Sequence, residues 1–279
     1  MKERITLTLD SGVIHVIDQR IDGHRIKNRS HAVELLLMQA LGNAHAPKTA
    51  VILAGGKGVR MQPITYEIPK PLMLVHEKTL LEHTFDLFRK HNIRNIVISI
   101  GYKGHKIREV IGNGRRFGVN VTYVEEDKPL GTAGPLKLAE HMLTETFVAC
   151  NADELKELDL SDMYAAHKEN KALATVALTT VEDPSNYGVA KMQGSRILEF
   201  IEKPKKADAP SNLINAGLYI LEPEVLNYIS DGFSMLEKDV FPKLAKEGKL
   251  FGYPFTGQWF NTGTLDLYEQ AIKKWKDIA

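Results

Sequence analysis

The stretch that decides the fold is AVILAGGKGVRMQPITYEIPKPL, residues Ala50–Leu72. An apolar run suited to a buried strand passes directly into a turn containing three glycines. Glycine lets backbone amides approach a phosphate closely, so the turn predicts an anion-binding loop. Met61 stands where a dinucleotide fingerprint has its third glycine, and the G-K-[ST] ending of a P-loop is missing. The residues predicted to contact the anion are Ala54, Gly55, Gly56 and Gly58.

Buried-strand and helix patterns alternate on the C-terminal side of this loop. Strands are predicted at Thr49–Gly55, Asn95–Gly101, Asn120–Glu125 and Thr146–Asn151, and helices at Leu80–His91, Lys103–Ile111 and Pro135–Met142. This alternation predicts an α/β domain, residues 48–279, built on a Rossmann-like, mostly parallel sheet with helices on both faces.

Two cations, Arg60 and Lys70, lie in a segment whose prolines restrict the chain between them. That spacing suits the neutralisation of two phosphate groups at once. The complete string from Gly55 to Leu72 resembles the signature of sugar-1-phosphate nucleotidyltransferases, and the likeness extends to residue 279. The resemblance implies transfer of a nucleotidyl group from a nucleoside triphosphate to a sugar 1-phosphate, with release of pyrophosphate. Arg60, Lys70 and Asp153 become the expected catalytic residues, and Arg60 is also expected to bind the nucleotide.

Further motifs extend the resemblance to the nucleotide and the metal. PLGTAGPLKLAE, residues 129–140, contains the loop that family members place around the base, which implies Gly131 and Thr132 as nucleotide contacts. FVACNAD brings Asp153 to the carboxyl end of a strand, where open α/β sheets bind ligands. By resemblance Asp153 is a Mg²⁺ ligand. The second ligand is usually aspartate in this family, but this chain has Asn261, so we expect an elevated magnesium requirement.

The second half of the chain resembles the sugar-binding half of the family. Its implied sugar-phosphate contacts are Gly188, Glu202, Lys203 and Asn215. SNLINAGLYIL, residues 211–221, and the C-terminal stretch most resemble mannose-1-phosphate guanylyltransferases. Mannose 1-phosphate with GTP is therefore the expected substrate pair. Glucose 1-phosphate with UTP or dTTP stays open as an alternative.

The first 43 residues predict a separate strand-helix-helix module, joined to the large domain by a short polar tether. A strand alternates from Arg4 to Leu9, and Ser11 and Ser30 are the predicted N-caps of two helices. Forty residues cannot enclose a core alone, which predicts a homodimer formed through this module.

The order of elements in this module resembles the ribbon-helix-helix family of DNA-binding dimers. The resemblance implies that Arg4, Thr6 and Thr8 face DNA bases. Basic and acidic residues nearly balance here, so a dimer clasp without DNA binding stays an equal alternative. A regulator whose large domain only senses nucleotide sugars is a further alternative of another class.

Composition excludes several other classes of protein. The formal net charge is +1, which gives no overall basic excess for nucleic acid or membranes. Cys150 is the single cysteine, so neither an internal disulfide nor a cysteine-based metal site is expected. No apolar run reaches the ~18 residues of a membrane span. These features predict a cytoplasmic protein without a membrane partner.

Overall fold

The computed structural model describes residues 5–21, 26–40 and 46–278; for residues 38–40 it describes the backbone only. The chain divides into two compact units, residues 1–46 and 47–279. Among the described residues, no helix is both long enough and apolar enough to cross a bilayer.

The first unit contains two helices, α1 (Ser11–Asp18) and α2 (Arg29–Ala40). Asp10 caps α1, since its side chain accepts from the backbone N–H of Gly12 at 2.7 Å. Asn28 plays the same part at α2, where its Oδ1 accepts from the N–H of His31 at 2.9 Å. The predicted caps, Ser11 and Ser30, were therefore wrong by one and two residues. Aspartate and asparagine present their side-chain oxygen as readily as serine, so the earlier residue takes the cap.

The predicted first strand has no counterpart in a single copy of the chain. Residues 5–10 form neither helix nor strand and are all exposed, while Arg4 lies outside the described residues. A strand exists only when its backbone is paired with another strand. The apolar side chains predicted to share one face, Ile5, Leu7 and Leu9, are 67%, 51% and 38% exposed.

The second unit alternates strands and helices from residue 49 onward. Its strands are β1 (Thr49–Ala54), β2 (Leu74–Val75), β3 (Lys78–Thr79), β4 (Asn95–Ile100), β5 (Asn120–Glu125), β6 (Phe147–Asn151), β7 (Glu154–Lys156), β8 (Ala174–Thr180), β9 (Gly188–Gln193), β10 (Arg196–Glu202), β11 (Leu213–Leu221), β12 (Leu250–Pro254) and β13 (Trp259–Asn261). Its helices are α3 (Leu80–Lys90), α4 (Gly104–Ile111), α5 (Gly134–Leu138), α6 (Leu160–Glu169), α7 (Phe241–Lys246) and α8 (Leu265–Lys274).

Nine strands form one mixed sheet in the order β5-β4-β1-β6-β11-β8-β12-β10-β9. The four strands β5, β4, β1 and β6 are mutually parallel. Strand β11 runs antiparallel to both of its neighbours, β6 and β8, and β8 then pairs in parallel with β12. The sheet is thus parallel in its N-terminal half, where the glycine loop follows β1.

Alternation along β1 explains the layers of the domain. Ala50, Ile52 and Ala54 face a core shared with α3, α4 and α6. Val51 points to the opposite face, where the core includes residues of α5 and α7. Because successive strand residues point to opposite faces, one short apolar run anchors helices on both sides.

A separate two-stranded ribbon joins β7 to β13, with Asn261 paired to Glu154 and Trp259 paired to Lys156. One face of the ribbon contributes Leu155 and Phe260 to a small core with Trp275, just after α8. The other strand pair, β2 with β3, is a short hairpin that precedes α3.

Candidate functional site

The glycine loop begins where β1 ends, and its geometry explains the need for glycine. A Cβ on Gly55 would lie 2.2 Å from the carboxylate of Glu126, and the carbonyl of Gly55 accepts from Tyr102 N at 3.1 Å. Gly58 has a positive φ of 61°. Ala54 is buried and Gly56 is exposed. The predicted anion loop therefore lies at the carboxyl edge of the parallel strands, with its backbone open at Gly56.

Lys70 and Asp153 meet at this edge although they lie far apart in the sequence. Lys70 Nζ donates to Asp153 Oδ2 at 2.6 Å. The lysine side chain is 7% exposed, whereas that of Asp153 is 37% exposed. The structure therefore brings two of the three predicted catalytic residues into direct contact, with the carboxylate facing outward.

Positive charge surrounds Asp153. The protein packed around this carboxyl opposes its ionisation, but Lys70, then Lys156 and Arg60, outweigh that effect and lower its pKa. Lys156 is buried, donates to the carbonyl of Gly217 at 3.0 Å, and lies 3.3 Å from Glu154. The three cations Lys70, Lys156 and Arg60 face the two carboxyl groups of Asp153 and Glu154, so positive charge is in excess and favours anions.

Asn261 and Arg60 lie beside this pair. Thr262, the next residue, donates to the carbonyl of Asp153 through its N–H and its hydroxyl, at 3.2 and 2.8 Å. Asn261 Oδ1 accepts from the N–H of Gly263 at 2.6 Å. A Cβ on Gly263 would lie 2.5 Å from Asn261 Oδ1 and 3.0 Å from the Arg60 guanidinium. The ribbon and the turn at residues 59–61 thus bring both predicted metal ligands and Arg60 into one corner.

The oxygen donors of this corner suit Mg²⁺. Within the described residues, no group of three or more His, Cys, Asp or Glu side chains is placed to hold a metal. Magnesium commonly binds through one or two protein oxygens and completes its shell with water and substrate phosphates. One partly exposed carboxylate and one neighbouring amide oxygen are consistent with that mode of binding.

The predicted base loop is tightly held. Gly131 has φ of 80°, and a Cβ there would lie 2.3 Å from the carbonyl oxygen of Ser234. The Thr132 hydroxyl donates to Glu237 at 2.5 Å and accepts from the N–H of Leu236 at 2.9 Å. The Thr132 side chain is therefore engaged by protein partners on both its donor and its acceptor side.

The predicted sugar-phosphate residues come from three strands or their ends. Gly188 pairs with Glu202 across β9 and β10, and a Cβ on Gly188 would lie 3.0 Å from a Glu202 carboxylate oxygen. The Glu202 side chain is only 9% exposed and pairs with Lys203 at 3.0 Å. Lys203 is 57% exposed and has a positive φ of 50°. Asn215 is buried in β11, where its amide donates to the Tyr219 hydroxyl at 2.9 Å.

Three further residues of the site were missed by the sequence analysis. Glu126 follows β5 and accepts from the Ser99 hydroxyl at 2.7 Å and from the N–H of Leu130 at 3.0 Å. Lys156 and Glu237 are both buried against partners from other elements. A charged residue directly after a parallel strand, as at Glu126, was a usable signal. Lys156 donates to Gly217 and Glu237 accepts from Thr132, partners that are 61 and 105 residues away, so no local pattern reveals these contacts.

The chain is similar in sequence to known nucleotidyl transferases. A family model described as nucleotidyl transferase matches residues 49–277. The mannose-1-phosphate guanylyltransferase catalytic subunit beta of Danio rerio is 37% identical over 238 residues, covering 81% of this chain and 66% of that protein. The UTP–glucose-1-phosphate uridylyltransferase of Synechocystis is 37% identical over 241 residues, covering 80% and 62%. The chain spans slightly less than two thirds of the length of these relatives.

Solved structures give the same picture of the fold. A candidate glucose-1-phosphate thymidylyltransferase from Bacillus anthracis superposes with a TM-score of 0.76 at 28% identity, covering 83% of this chain and 96% of that one. A UDP-glucose pyrophosphorylase complexed with UDP-glucose has a TM-score of 0.70 at 23% identity, covering 81% and 97%. The latter likeness concerns the fold alone.

Proposed function

This chain belongs to the nucleotidyl transferase family, and on that premise we propose that it joins a sugar 1-phosphate to a nucleoside triphosphate, with release of pyrophosphate. The observation that carries the proposal is the 2.6 Å pair of Lys70 and Asp153 at the mouth of the glycine loop. We propose mannose 1-phosphate and GTP as the substrates, because several mannose-1-phosphate guanylyltransferases share 36–37% identity with the chain. The uridylyltransferase relative supports glucose 1-phosphate with UTP as the second candidate.

In the proposed reaction, a phosphate oxygen of the sugar 1-phosphate attacks the α-phosphorus of the triphosphate in line. A new oxygen–phosphorus bond forms, the bond from the α-phosphorus to the β-bridging oxygen breaks, and pyrophosphate takes the electron pair. A phosphate monoester is already a nucleophile, so no general base is required. The protein's task is to position two anions and neutralise the charge of the transferring group, and the proposal assigns this task to Lys70 and Arg60.

Asp153 and Asn261 would hold Mg²⁺ in this proposal. When bound, the ion supplies positive charge to the triphosphate. Lys70 holds the Asp153 carboxylate in place, and the hydrogen bonds from Thr262 to the Asp153 carbonyl keep the second ligand beside the first. Arg60, in the turn at residues 59–61, lies near Asn261 and would face the phosphates.

We propose that Glu202 accepts hydrogen bonds from sugar hydroxyls and that Lys203 holds the sugar phosphate. The contrast between the two side chains supports this assignment, since the carboxylate is 9% exposed and the ammonium 57% exposed. A side chain at Gly188 would clash with the Phe200 ring at 2.5 Å and crowd the Glu202 carboxylate at 3.0 Å. Asn215 is assigned a further polar contact to the sugar, and its amide is oriented by its hydrogen bond to Tyr219.

Pyrophosphate release tests the proposal directly. The full chain is assayed with magnesium against four triphosphates, each combined with mannose, glucose and N-acetylglucosamine 1-phosphates. Turnover with GTP and mannose 1-phosphate is the expected result, and turnover with UTP or dTTP and glucose 1-phosphate would establish the second candidate. Silence in every combination, with nucleotide binding intact, would favour a nucleotide-sugar sensor and overturn the enzymatic proposal.

For the N-terminal unit we propose pairing of two copies through residues 5–10. Burial of exposed apolar surface is the main driving force for association, and Ile5, Leu7 and Leu9 are exposed in one copy. Sedimentation of the full chain and of Leu7→Glu tests the pairing. A dimer that the variant dissociates is expected, and an unchanged state would refute it.

The same pairing would place Thr6 and Thr8 side by side on the outer face of the two paired N-terminal strands, as the resemblance implies for DNA contacts. Both are exposed in the single chain. Titration with random duplex DNA at low salt distinguishes the two roles of this module, because phosphate contacts are strongest there. No binding under those conditions would leave the clasp as the sole role.

A further inference from the structure

The base loop, residues 130–134, is fastened to the segment 234–237 by backbone hydrogen bonds. Ser234 N donates to the carbonyl of Leu130 at 3.0 Å, and the Ser234 carbonyl accepts from Ala133 N at 2.9 Å. Gly131 packs its backbone directly onto Ser234. The position of the base loop therefore depends on where segment 234–237 is held.

Glu237 is the point at which that segment meets the sugar-binding half. One carboxylate oxygen accepts from the Thr132 hydroxyl at 2.5 Å, and the other accepts from the Tyr219 hydroxyl at 3.3 Å. Asn215 donates to the same Tyr219 hydroxyl at 2.9 Å. A continuous chain of hydrogen bonds thus runs from Thr132, beside the proposed base site, to Asn215, beside the proposed sugar site.

Burying the carboxyl of Glu237 costs free energy, which argues for a role beyond filling space. Its residue is 6% exposed. Burial raises the pKa of Glu237, the hydrogen bond from Thr132 opposes that rise, and the nearby Glu202 adds to it. Glu202 is itself the proposed acceptor of sugar hydroxyls, so Glu237 lies next to both proposed binding sites.

We propose that Glu237 is a positioning residue that couples the two substrate sites. Ordering of the base loop then improves binding of the sugar 1-phosphate, and binding of the sugar 1-phosphate orders the base loop. This inference rests on the proposed function, because it assigns Thr132 to the nucleotide side and Asn215 to the sugar side. Glu237 itself touches neither substrate in this proposal. It acts through Thr132 and Tyr219, each of which has a hydroxyl that can be removed with little change in shape.

The test measures a crossed effect, in which a change on the side of one substrate raises the KM of the other substrate. A residue that acts only on its own site does not produce this effect. Thr132→Val removes the hydroxyl on the nucleotide side, and we expect it to raise KM for the sugar 1-phosphate by about 2- to 10-fold, the worth of one hydrogen bond. Tyr219→Phe removes the hydroxyl on the sugar side, and we expect a similar rise in KM for the triphosphate. Coupling between two sites is reciprocal in binding free energy, so both crossed effects are expected where KM reports substrate binding.

Two additional variants sharpen the test. In the double variant Thr132→Val with Tyr219→Phe, each KM should rise by less than the product of the two single-variant rises. Either change alone already interrupts the chain of hydrogen bonds. Glu237→Gln keeps the shape of the side chain but replaces one of its two acceptor oxygens by a donor, so it should raise both KM values less than Glu237→Met does. Glu237→Met removes both acceptors and should raise both.

The matched control is Thr146→Val, which breaks a hydroxyl–carboxylate bond of 2.7 Å to Glu222. It should leave both KM values unchanged, while thermal unfolding monitors the fold of every variant. If each single variant changes only the KM of its own substrate and the double variant is additive, the coupling is refuted while the proposed function stands. Absence of turnover by the unaltered chain overturns both.

Discussion

Replacing Lys70 by methionine is the sharpest test of the catalytic assignment. The change keeps the length of the side chain and removes the ammonium that lies 2.6 Å from Asp153. Loss of one preorganised donor to a transferring group costs about 100- to 1,000-fold in turnover. Breaking a fully buried ion pair destabilises by ~3–5 kcal/mol. Here Asp153 is 37% exposed and keeps Lys156 and Arg60 nearby, so we expect ~1–2 kcal/mol in the free energy of unfolding.

The variant also predicts a pH dependence. Because Lys70 helps to lower the pKa of Asp153, its removal raises that pKa and moves the acid limb of the rate profile to higher pH. A lowered carboxyl pKa stabilises the fold above the unfolded pKa, and the benefit is lost as pH falls through the folded pKa. The stability difference between the two proteins should therefore be full at pH 7 and vanish in acid.

Lys78→Met is the matched control, since Lys78 pairs with Asp86 at 2.7 Å outside the site. It should lose at most ~1 kcal/mol and keep its turnover. Initial rates of pyrophosphate release and urea unfolding measure both quantities. Near-normal turnover in Lys70→Met, or an equal loss in both variants, would refute the catalytic role of the Lys70 ammonium.

The remaining predictions concern the metal, the base loop and the cysteine. Asn261→Asp restores a charged ligand, so the half-saturating magnesium concentration should fall; an unchanged titration would contradict the proposed metal role. Gly131→Ala should cost about 2–5 kcal/mol in unfolding free energy, from the positive φ and the clash with the Ser234 carbonyl. Gly194→Ala, with a positive φ of 57° and no heavy atom within 4 Å of the added methyl, should cost only ~1–2 kcal/mol, and equal losses would argue against the clash. Burial raises the pKa of Cys150 to about 11; a thiol reagent at pH 8 should therefore react only after unfolding, and fast labelling of the native chain would show otherwise.

Local patterns predicted much of the large domain. The Asn120–Glu125 strand has the predicted bounds, and the strand delivering Asp153 ends at the sheet edge where ligands were expected. Periodicity reports which residues of a strand are buried, but it carries no information on strand direction. The antiparallel insertion of β11 between two parallel neighbours was therefore not predicted.

In the candidate site too, the sequence predicted some features and missed others. Motif resemblance predicted Arg60, Lys70, Asp153 and Asn261, and the structure brings these four residues together. It did not predict that the side chains of Thr132 and Asn215 are held by protein partners. The partners Glu237 and Tyr219 lie on other elements, so their contacts depend on tertiary packing.

The ribbon of β7 and β13 has a consequence for biosynthesis. Glu154 leaves the ribosome with the first half of the domain, whereas its partner Asn261 follows only after the whole nine-stranded sheet has been translated. A nascent chain that stops before residue 261 can already possess the glycine loop, Lys70 and Asp153, yet it lacks the strand that completes the corner. A domain generally folds as one unit. Synthesis through residue 261 is thus a precondition of the complete corner formed by Asp153, Asn261 and Arg60.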